Sequence, residues 1–282
     1  MENNTTVLKS NSKINIGLRI LGKRKDGYHL IETVFQEIDF SDEIIVENNE
    51  TGVFTIECND KSLESENNII IQTAELVKHL LPKNFGACFK LKKNIPIGAG
   101  LGGGSANACS VLKYLFEYVK IDNKRKDDLL LKYATKIGAD VPFFLDGGTS
   151  YASGIGENLE KTDIPKEWFA LLVIPKFSIS TQMAYKSLNI SLTDRIKNTI
   201  LSDYLKSDFK WEFFENEFEK FIIPAYPQIG EIKNELIENE ATYTSLSGSG
   251  STVYGIFENL LLARKAKNQM EKFGKVVIVK PI

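Results

Sequence analysis

Residues that anchor metals and disulfides are scarce in this chain: of its 282 residues only two are histidine and three are cysteine. His29 and His79 stand in no metal-ligand spacing, which excludes the common zinc patterns. Cys58, Cys88 and Cys109 are odd in number and far apart, so they read as buried free thiols of a reducing compartment. Charge of one sign is lacking too, since 35 Lys and Arg nearly cancel 37 Asp and Glu. Without a general positive field, nucleic acid and anionic membrane are excluded as partners. The short basic runs Lys23 to Lys25 and Lys124 to Lys126 each meet an aspartate and read as solvated loops. No apolar run reaches membrane-spanning length, and the first ten residues hold no signal-peptide core. The expectation is a cytoplasmic protein that acts on a small molecule, as a monomer or homodimer.

What is present is the composition of a folded protein, 43% apolar and 26% charged. The length suits two ordinary domains, which we place at 1–155 and 156–282. In "KINIGLRI", Ile14, Ile16, Leu18 and Ile20 alternate with Lys13, Asn15, Gly17 and Arg19, the period of a strand with one buried face. Further strands are predicted at 29–40, 43–47, 52–58 and 87–92, after a turn at Asp26-Gly27. From Ser105 the period becomes helical, and a second helical stripe, Leu129 to Ile137, stops at Gly138. In the second half "WFALLVIP" predicts a strand, and helices are predicted near 194–206, 211–221 and 228–239. The last forty residues read strand, glycine-rich turn, strand, helix, strand, an ending that suits an α+β domain with helices on one face of an antiparallel sheet.

"IPIGAGLGGGSANA" puts five glycines between Gly98 and Gly104, directly before a helix. Three templates compete for it. Gly98, Gly100 and Gly103 satisfy the dinucleotide fingerprint, but Asn94 to Pro96 precede the loop and a helix follows where a second parallel strand is required. A Walker loop fits Gly98, Gly103 and Ser105, yet Gly104 occupies the lysine position. The third template is general: a glycine-rich turn at a helix N-terminus offers unpaired N–H groups and the positive end of the helix dipole to an anion, and a polyphosphate fits it best. The missing positive charge must then come from elsewhere. Lys13 is one source, and Ser105 is a candidate ligand for Mg2+. Against this stands a purely structural role, in which the glycines only let strand and helix pack closely. In "GADVPFF", Asp140 reads either as the cap of a new helix or as a general base, and the two roles are compatible.

Four stretches carry a resemblance: 12–44, 95–109, 137–157 and "SLSGSGSTVYGIF" at 245–257. In that order, over nearly the whole chain, they resemble the GHMP small-molecule kinases. The resemblance implies a two-domain α+β fold, with an N-terminal domain like ribosomal protein S5 domain 2 and a ferredoxin-like C-terminal domain. It implies ATP and Mg2+ as cofactors, with Gly98, Gly100, Gly102, Gly103, Gly104 and Ser105 around the phosphates and Asn68 and Lys93 towards the adenine. By the same resemblance Lys13 and Asp140 are the catalytic pair, Asp140 as base and Lys13 as stabiliser of the transferring phosphoryl group.

Lys13-x-Asn15 followed by Asp26-Gly27-Tyr28-His29 resembles one branch of that family, and the resemblance implies phosphorylation of a diphosphocytidyl-linked polyol. There Asn15, Gly248 and Ser249 face the substrate, while Tyr28, His29 and Tyr185 receive the base. Ser12 replaces the alanine usual before the lysine, and no extra acidic Mg2+ ligand is evident. Alternatives at this point are another GHMP kinase acting on homoserine, mevalonate or a sugar, a nicotinamide-dependent oxidoreductase, and a nucleotide-binding relic without turnover.

Overall fold

The computed structural model describes residues 5–186, 201–206 and 209–282. In chain order the elements are β1 (Thr5–Lys23), β2 (His29–Asn49), β3 (Phe54–Cys58), α1 (Ile69–Val77), β4 (Gly86–Lys92), α2 (Gly103–Phe116), α3 (Asn123–Ile137), α4 (Phe143–Asp146), β5 (Thr149–Ser153) and β6 (Asn158–Lys161). There follow β7 (Phe169–Pro175), α5 (Thr181–Lys186), α6 (Leu201–Lys206), α7 (Glu219–Ala225), α8 (Pro227–Glu238), β8 (Tyr243–Leu246), β9 (Val253–Phe257), α9 (Leu260–Met270) and β10 (Gly274–Val279). Two compact units result. The first is Met1–Ser12, Phe40–Pro96 and Gly102–Asp146; the second is Lys13–Asp39, Ile97–Leu101 and Gly147–Ile282.

In the first unit β4 runs antiparallel to the second half of β2, from Glu43↔Lys92 to Asn49↔Gly86, and parallel to β3. Helix α1 packs on α2, and α2 on α3 and α4. Ile44, Val46, Phe89 and Leu91 from the strands and Ile70, Ala74, Leu112 and Phe116 from the helices are buried. The helix starts follow local chemistry: Asn68 accepts a hydrogen bond from the Ile70 amide, and Asp122 accepts one from the Lys124 amide. Where two strands were expected at 29–40 and 43–47, one strand runs unbroken. Ser41-Asp42 is no interruption, because the Asp42 carboxylate is occupied by main-chain donors of the segment after β4.

In the second unit the first half of β2 pairs with β5, Thr33↔Ala152 to Gln36↔Thr149, and β5 with β6. A separate four-stranded antiparallel sheet has the order β10-β7-β9-β8. Helices α8 and α9 pack on it through Ile229, Ile232, Leu236, Ala263, Ala266 and Met270, against Leu171, Val173, Val253 and Phe257. This is the ferredoxin-like arrangement expected for the C-terminal part.

The helix expected at 211–221 begins only at Glu219. Trp211, Phe214, Phe218 and Phe221 carry helical spacing, but residues 214–217 lie alongside β1 instead. The Leu18 amide donates to the Glu215 carbonyl, and the Glu217 amide donates to the Leu18 carbonyl. Buried Asn216 donates from its side-chain amide to the Leu246 and Gly248 carbonyls, at 2.7 and 2.8 Å, and accepts from the Phe218 amide. One side chain thus fixes the exit of β8 and starts α7. Of the expected helix at 194–206, residues 201–206 are helical and 194–200 lie outside the described residues.

Asn216→Ala removes three buried hydrogen bonds and leaves two carbonyls without them, so a loss of roughly 2–4 kcal/mol is expected. Urea denaturation of parent and variant checks it.

Candidate active site

The expected site residues fall into two groups, one within each unit. In the second unit strand β1 buries Ile14, Ile16, Leu18 and Ile20 as its alternation predicts, but the opposite face is no solvent face. Lys13 is 4% and Asn15 2% exposed. Their cover comes from the far end of the sequence. The Asn15 amide donates to Ser247 Oγ, and Tyr254 OH donates to the Asn15 carbonyl at 2.8 Å. The Asn15 side chain donates to Thr33 Oγ1 at 3.1 Å and accepts from Lys13 Nζ at 2.5 Å. The same ammonium lies 4.6 Å from the centre of the Phe35 ring. Lys13 is therefore a buried cation held in a fixed direction, which is the property needed to meet negative charge.

The first half of the glycine loop belongs to this group. The Lys13 amide donates to the Leu101 carbonyl, and the Thr252 amide donates to the Ala99 carbonyl. Ser247 Oγ donates to the Gly100 carbonyl at 2.8 Å. A Cβ built on Gly100, whose φ is +77°, would stand 2.1 Å from the Ser247 carbonyl oxygen. Gly100 is thus required by the protein's own main chain. Gly248 faces Asn15 Oδ1 across the same turn, and Ser249 Oγ lies 3.0 Å from Thr181 Oγ1. So Lys13, Asn15, Ala99 to Leu101 and the turn with Gly248 and Ser249 form one connected network.

The residues expected to receive the base divide. His29 is buried, and its ring stacks on Tyr185 with centroids 4.8 Å apart; Tyr28 beside it is 60% exposed. Tyr185 in turn meets Phe218 edge-on. Burial first, and the Lys23 charge second, lower the pKa of His29 below its usual 6.5. Its ring is accordingly neutral near pH 7, with one nitrogen a donor and the other an acceptor.

In the first unit α2 begins at Gly103, with Gly102 before it in the left-handed region and no side chain capping its first N–H groups. Donors left without a side-chain cap, together with the dipole, are the features that favour an anion at the stretch from Gly102 to Ser105. A Cβ on Gly103 would meet Ile95 Cγ2 at 2.8 Å and Lys93 Nζ at 3.0 Å, so this glycine too is demanded internally. Gly104 differs: it is exposed, and a Cβ built on it would meet only Ile69 Cγ2, at 4.0 Å. Lys93 is drawn in by a salt bridge to buried Asp42. Asn68 spends its carbonyl on capping α1 and its amide on the Leu63 carbonyl, which leaves it a structural part in this unit. Asp140 lies half-buried in the turn between α3 and α4. It stands three residues before Phe143, the first residue of α4.

Sequence reasoning missed Asp42, Thr33, Ser247 and Asn216. Only Ser247 had a signal, as the residue preceding a glycine already singled out. The others are polar residues in apolar surroundings whose partners lie far away in sequence. Among the described residues no group of three or more His, Cys, Asp or Glu side chains is placed to hold a metal. Of the three cysteines, Cys58 and Cys109 are buried as expected and Cys88 only half so.

Residues 68–148 match the family model of the GHMP kinases N terminal domain, and residues 207–276 that of the GHMP kinases C terminal. A protein of Chlorobium phaeobacteroides named 4-diphosphocytidyl-2-C-methyl-D-erythritol kinase is 37% identical over 97% of this chain and 94% of its own length. One of the same name from Clostridium novyi is 36% identical over 96% and 98%. A crystal structure of 4-(cytidine 5'-diphospho)-2C-methyl-D-erythritol kinase superposes with a TM-score of 0.82 at 26% identity, covering 98% of this chain and 99% of that one. Homoserine kinase from Cytophaga hutchinsonii shares the fold, with a TM-score of 0.68 at 18% identity over 100% and 98%.

Two expectations follow from this geometry. Gly100→Ala loses about 2 kcal/mol or more of stability, whereas Gly104→Ala loses none and gains up to about 1 kcal/mol from helix propensity; parallel urea titrations compare them. His29 binds fewer protons folded than unfolded, so its contribution to stability is complete above pH 6.5 and fades as pH falls through the lowered folded value. His29→Gln should flatten that part of the stability–pH curve, measured by thermal melts below pH 6.5 against melts at pH 7.5.

Proposed function

The chain belongs to the GHMP kinase family, and from that premise we propose that it transfers the γ-phosphoryl group of ATP to the 2-hydroxyl of 4-diphosphocytidyl-2-C-methyl-D-erythritol. The observation that carries this reading is the uncapped helix start at Gly102 to Ser105 in a chain 37% identical, over 97% of its length, to a kinase of that name. The place of this reaction is non-mevalonate isoprenoid precursor synthesis, in the cytoplasm. Among the described residues no helix is long and apolar enough to cross a membrane. The N-terminal and C-terminal GHMP kinase domains are taken as 1–155 and 156–282, a division along the sequence with the matched segments 68–148 and 207–276 on either side, distinct from the interleaved compact units.

Phosphoryl transfer asks for alignment and charge stabilisation more than for covalent help from the protein. In our reading the main-chain N–H groups of Gly102 to Ser105 bind the triphosphate, and Lys93 and Asn68 lie towards the adenine. Asp140 takes the proton of the 2-hydroxyl as that oxygen bonds to the γ-phosphorus; the bond from phosphorus to the bridging oxygen breaks, and ADP leaves with that electron pair. Lys13, aimed by Asn15 and Phe35, balances the charge on the transferring group. Tyr28, His29 and Tyr185 hold the cytosine; the neutral His29 ring presents a donor and an acceptor to its edge. Gly248 and Ser249 contact the polyol end.

A hard cation that keeps most of its waters needs few protein ligands. The hydroxyl of Ser105 would hold Mg2+ in this way beside the nucleotide, and the metal, when bound, would supply further neutralisation of phosphate charge.

The test is turnover. Protein incubated with ATP, Mg2+ and the diphosphocytidyl substrate should release one ADP per phosphorylated product, and ADP release with homoserine or mevalonate instead would sink the assignment. Asp140→Asn is expected to lower kcat by about 100-fold or more while leaving the affinity for a non-hydrolysable ATP analogue within about twofold; a variant that keeps most of its rate removes Asp140 as the base.

A further inference from the structure

Asp42 lies in the middle of β2 with no exposed surface, and no role in the reaction has so far been given to it. A buried carboxylate is costly unless its lone pairs are taken up by donors, and here both oxygens are fully engaged. Oδ1 accepts from the Asn94 and Ile95 amides at 2.7 and 2.9 Å. Oδ2 accepts from the Asn107 side chain on α2 at 3.0 Å and forms the salt bridge with Lys93 Nζ. One carboxylate therefore ties together the segment leading into the glycine loop, the second turn of the glycine helix and the Lys93 ammonium.

The position of that ammonium is unusual. It stands 3.0 Å from where a Cβ of Gly103 would be, at the positive end of α2, where a cation by itself is disfavoured. The Lys93 side chain is only 10% exposed, so solvent does little to offset this. Asp42 does so, because its charge opposes both the ammonium and the helix end. We propose that Asp42 is a positioning residue that fixes the Lys93 ammonium over the first residue of α2 and thereby sets the affinity for the nucleoside triphosphate. The proposal rests on the reading of Lys93 as a nucleotide contact. With its charge balanced by Asp42, Lys93 serves as a directed hydrogen-bond donor, suited to an uncharged acceptor such as a base nitrogen or a ribose hydroxyl. The phosphates are left to the main-chain amides.

The experiment is a cycle of Asp42→Asn, Lys93→Ala and the double variant. Binding of a non-hydrolysable ATP analogue with Mg2+ is measured by titration calorimetry. Asp42→Asn keeps the shape and one acceptor oxygen for the two amides. Losing a charge-assisted bond should weaken binding roughly tenfold to a hundredfold, with kcat at saturating ATP and KM for the second substrate both within about twofold. Lys93→Ala should weaken binding similarly, and the double variant should bind no more weakly than Lys93→Ala. Parent-like binding by Asp42→Asn, or single effects that multiply in the double variant, would overturn the proposal. Lys93→Arg provides a test that leaves Asp42 intact: it retains the charge but displaces the donors, so it should bind as poorly as Lys93→Ala, and parent-like affinity would reject a positional role. If Lys93→Ala binds like the parent while turnover of the diphosphocytidyl substrate persists, the nucleotide role of Lys93 fails and the kinase assignment stands.

Discussion

The close approach of the Ser247 main chain to Gly100 is the constraint on which the second unit's share of the candidate site depends. The Ser247 carbonyl oxygen occupies the space of any side chain at position 100, while its hydroxyl donates to the Gly100 carbonyl and receives the Asn15 amide. Through one residue, strand β1 with Lys13, the first half of the glycine loop and the turn after β8 are held at fixed spacing. Asn216 secures the same turn from behind by holding the carbonyls on either side of Ser247. The rigidity of Lys13 is thus a property of tertiary packing, and preorganised charge of this kind stabilises a reaction without reorganising during it.

That arrangement alters the meaning of the five glycines. Two of them, Gly100 and Gly103, make room for the protein itself: a carbonyl in one case, an isoleucine and a lysine in the other. Gly104 is exposed, and a Cβ on it would make no more than an ordinary contact with Ile69. The structural reading of the loop holds for Gly100 and Gly103, and the proposed phosphate-binding role falls to Gly104 and its neighbours. Glycine spacing alone could not have separated them, because the groups that crowd Gly100 come from nearly 150 positions downstream.

The same distance effect explains what was legible in the sequence. The alternation of Ile14, Ile16, Leu18 and Ile20 gave the strand and its core face, since that signal is local. It gave nothing about the other face, whose cover of Ser247 and Tyr254 is remote. The ferredoxin-like ending could be read because its strands and helix follow one another with clean periods. Trp211 to Phe221 misled because helical spacing of aromatics also suits a segment that packs irregularly. There the Asn216 side chain and the pairing with Leu18 draw the backbone away from helix, and Tyr243 OH donates to the Phe214 carbonyl. Asp42 was invisible because an acid within an alternating strand reads as a surface residue, and only the folded chain shows its donors.

The two compact units are interleaved along the chain, which passes from one to the other after Ser12, Asp39, Pro96, Leu101 and Asp146. No single cut separates them: even one after Asp146, which keeps the first unit whole, strips Lys13–Asp39 and Ile97–Leu101 from the second. A gene fragment ending at any of these points would strand part of one unit without its partners, so recombination cannot trade either unit as a cassette. A lineage that retunes one half must do so by point substitution while the other half keeps folding around the same threads.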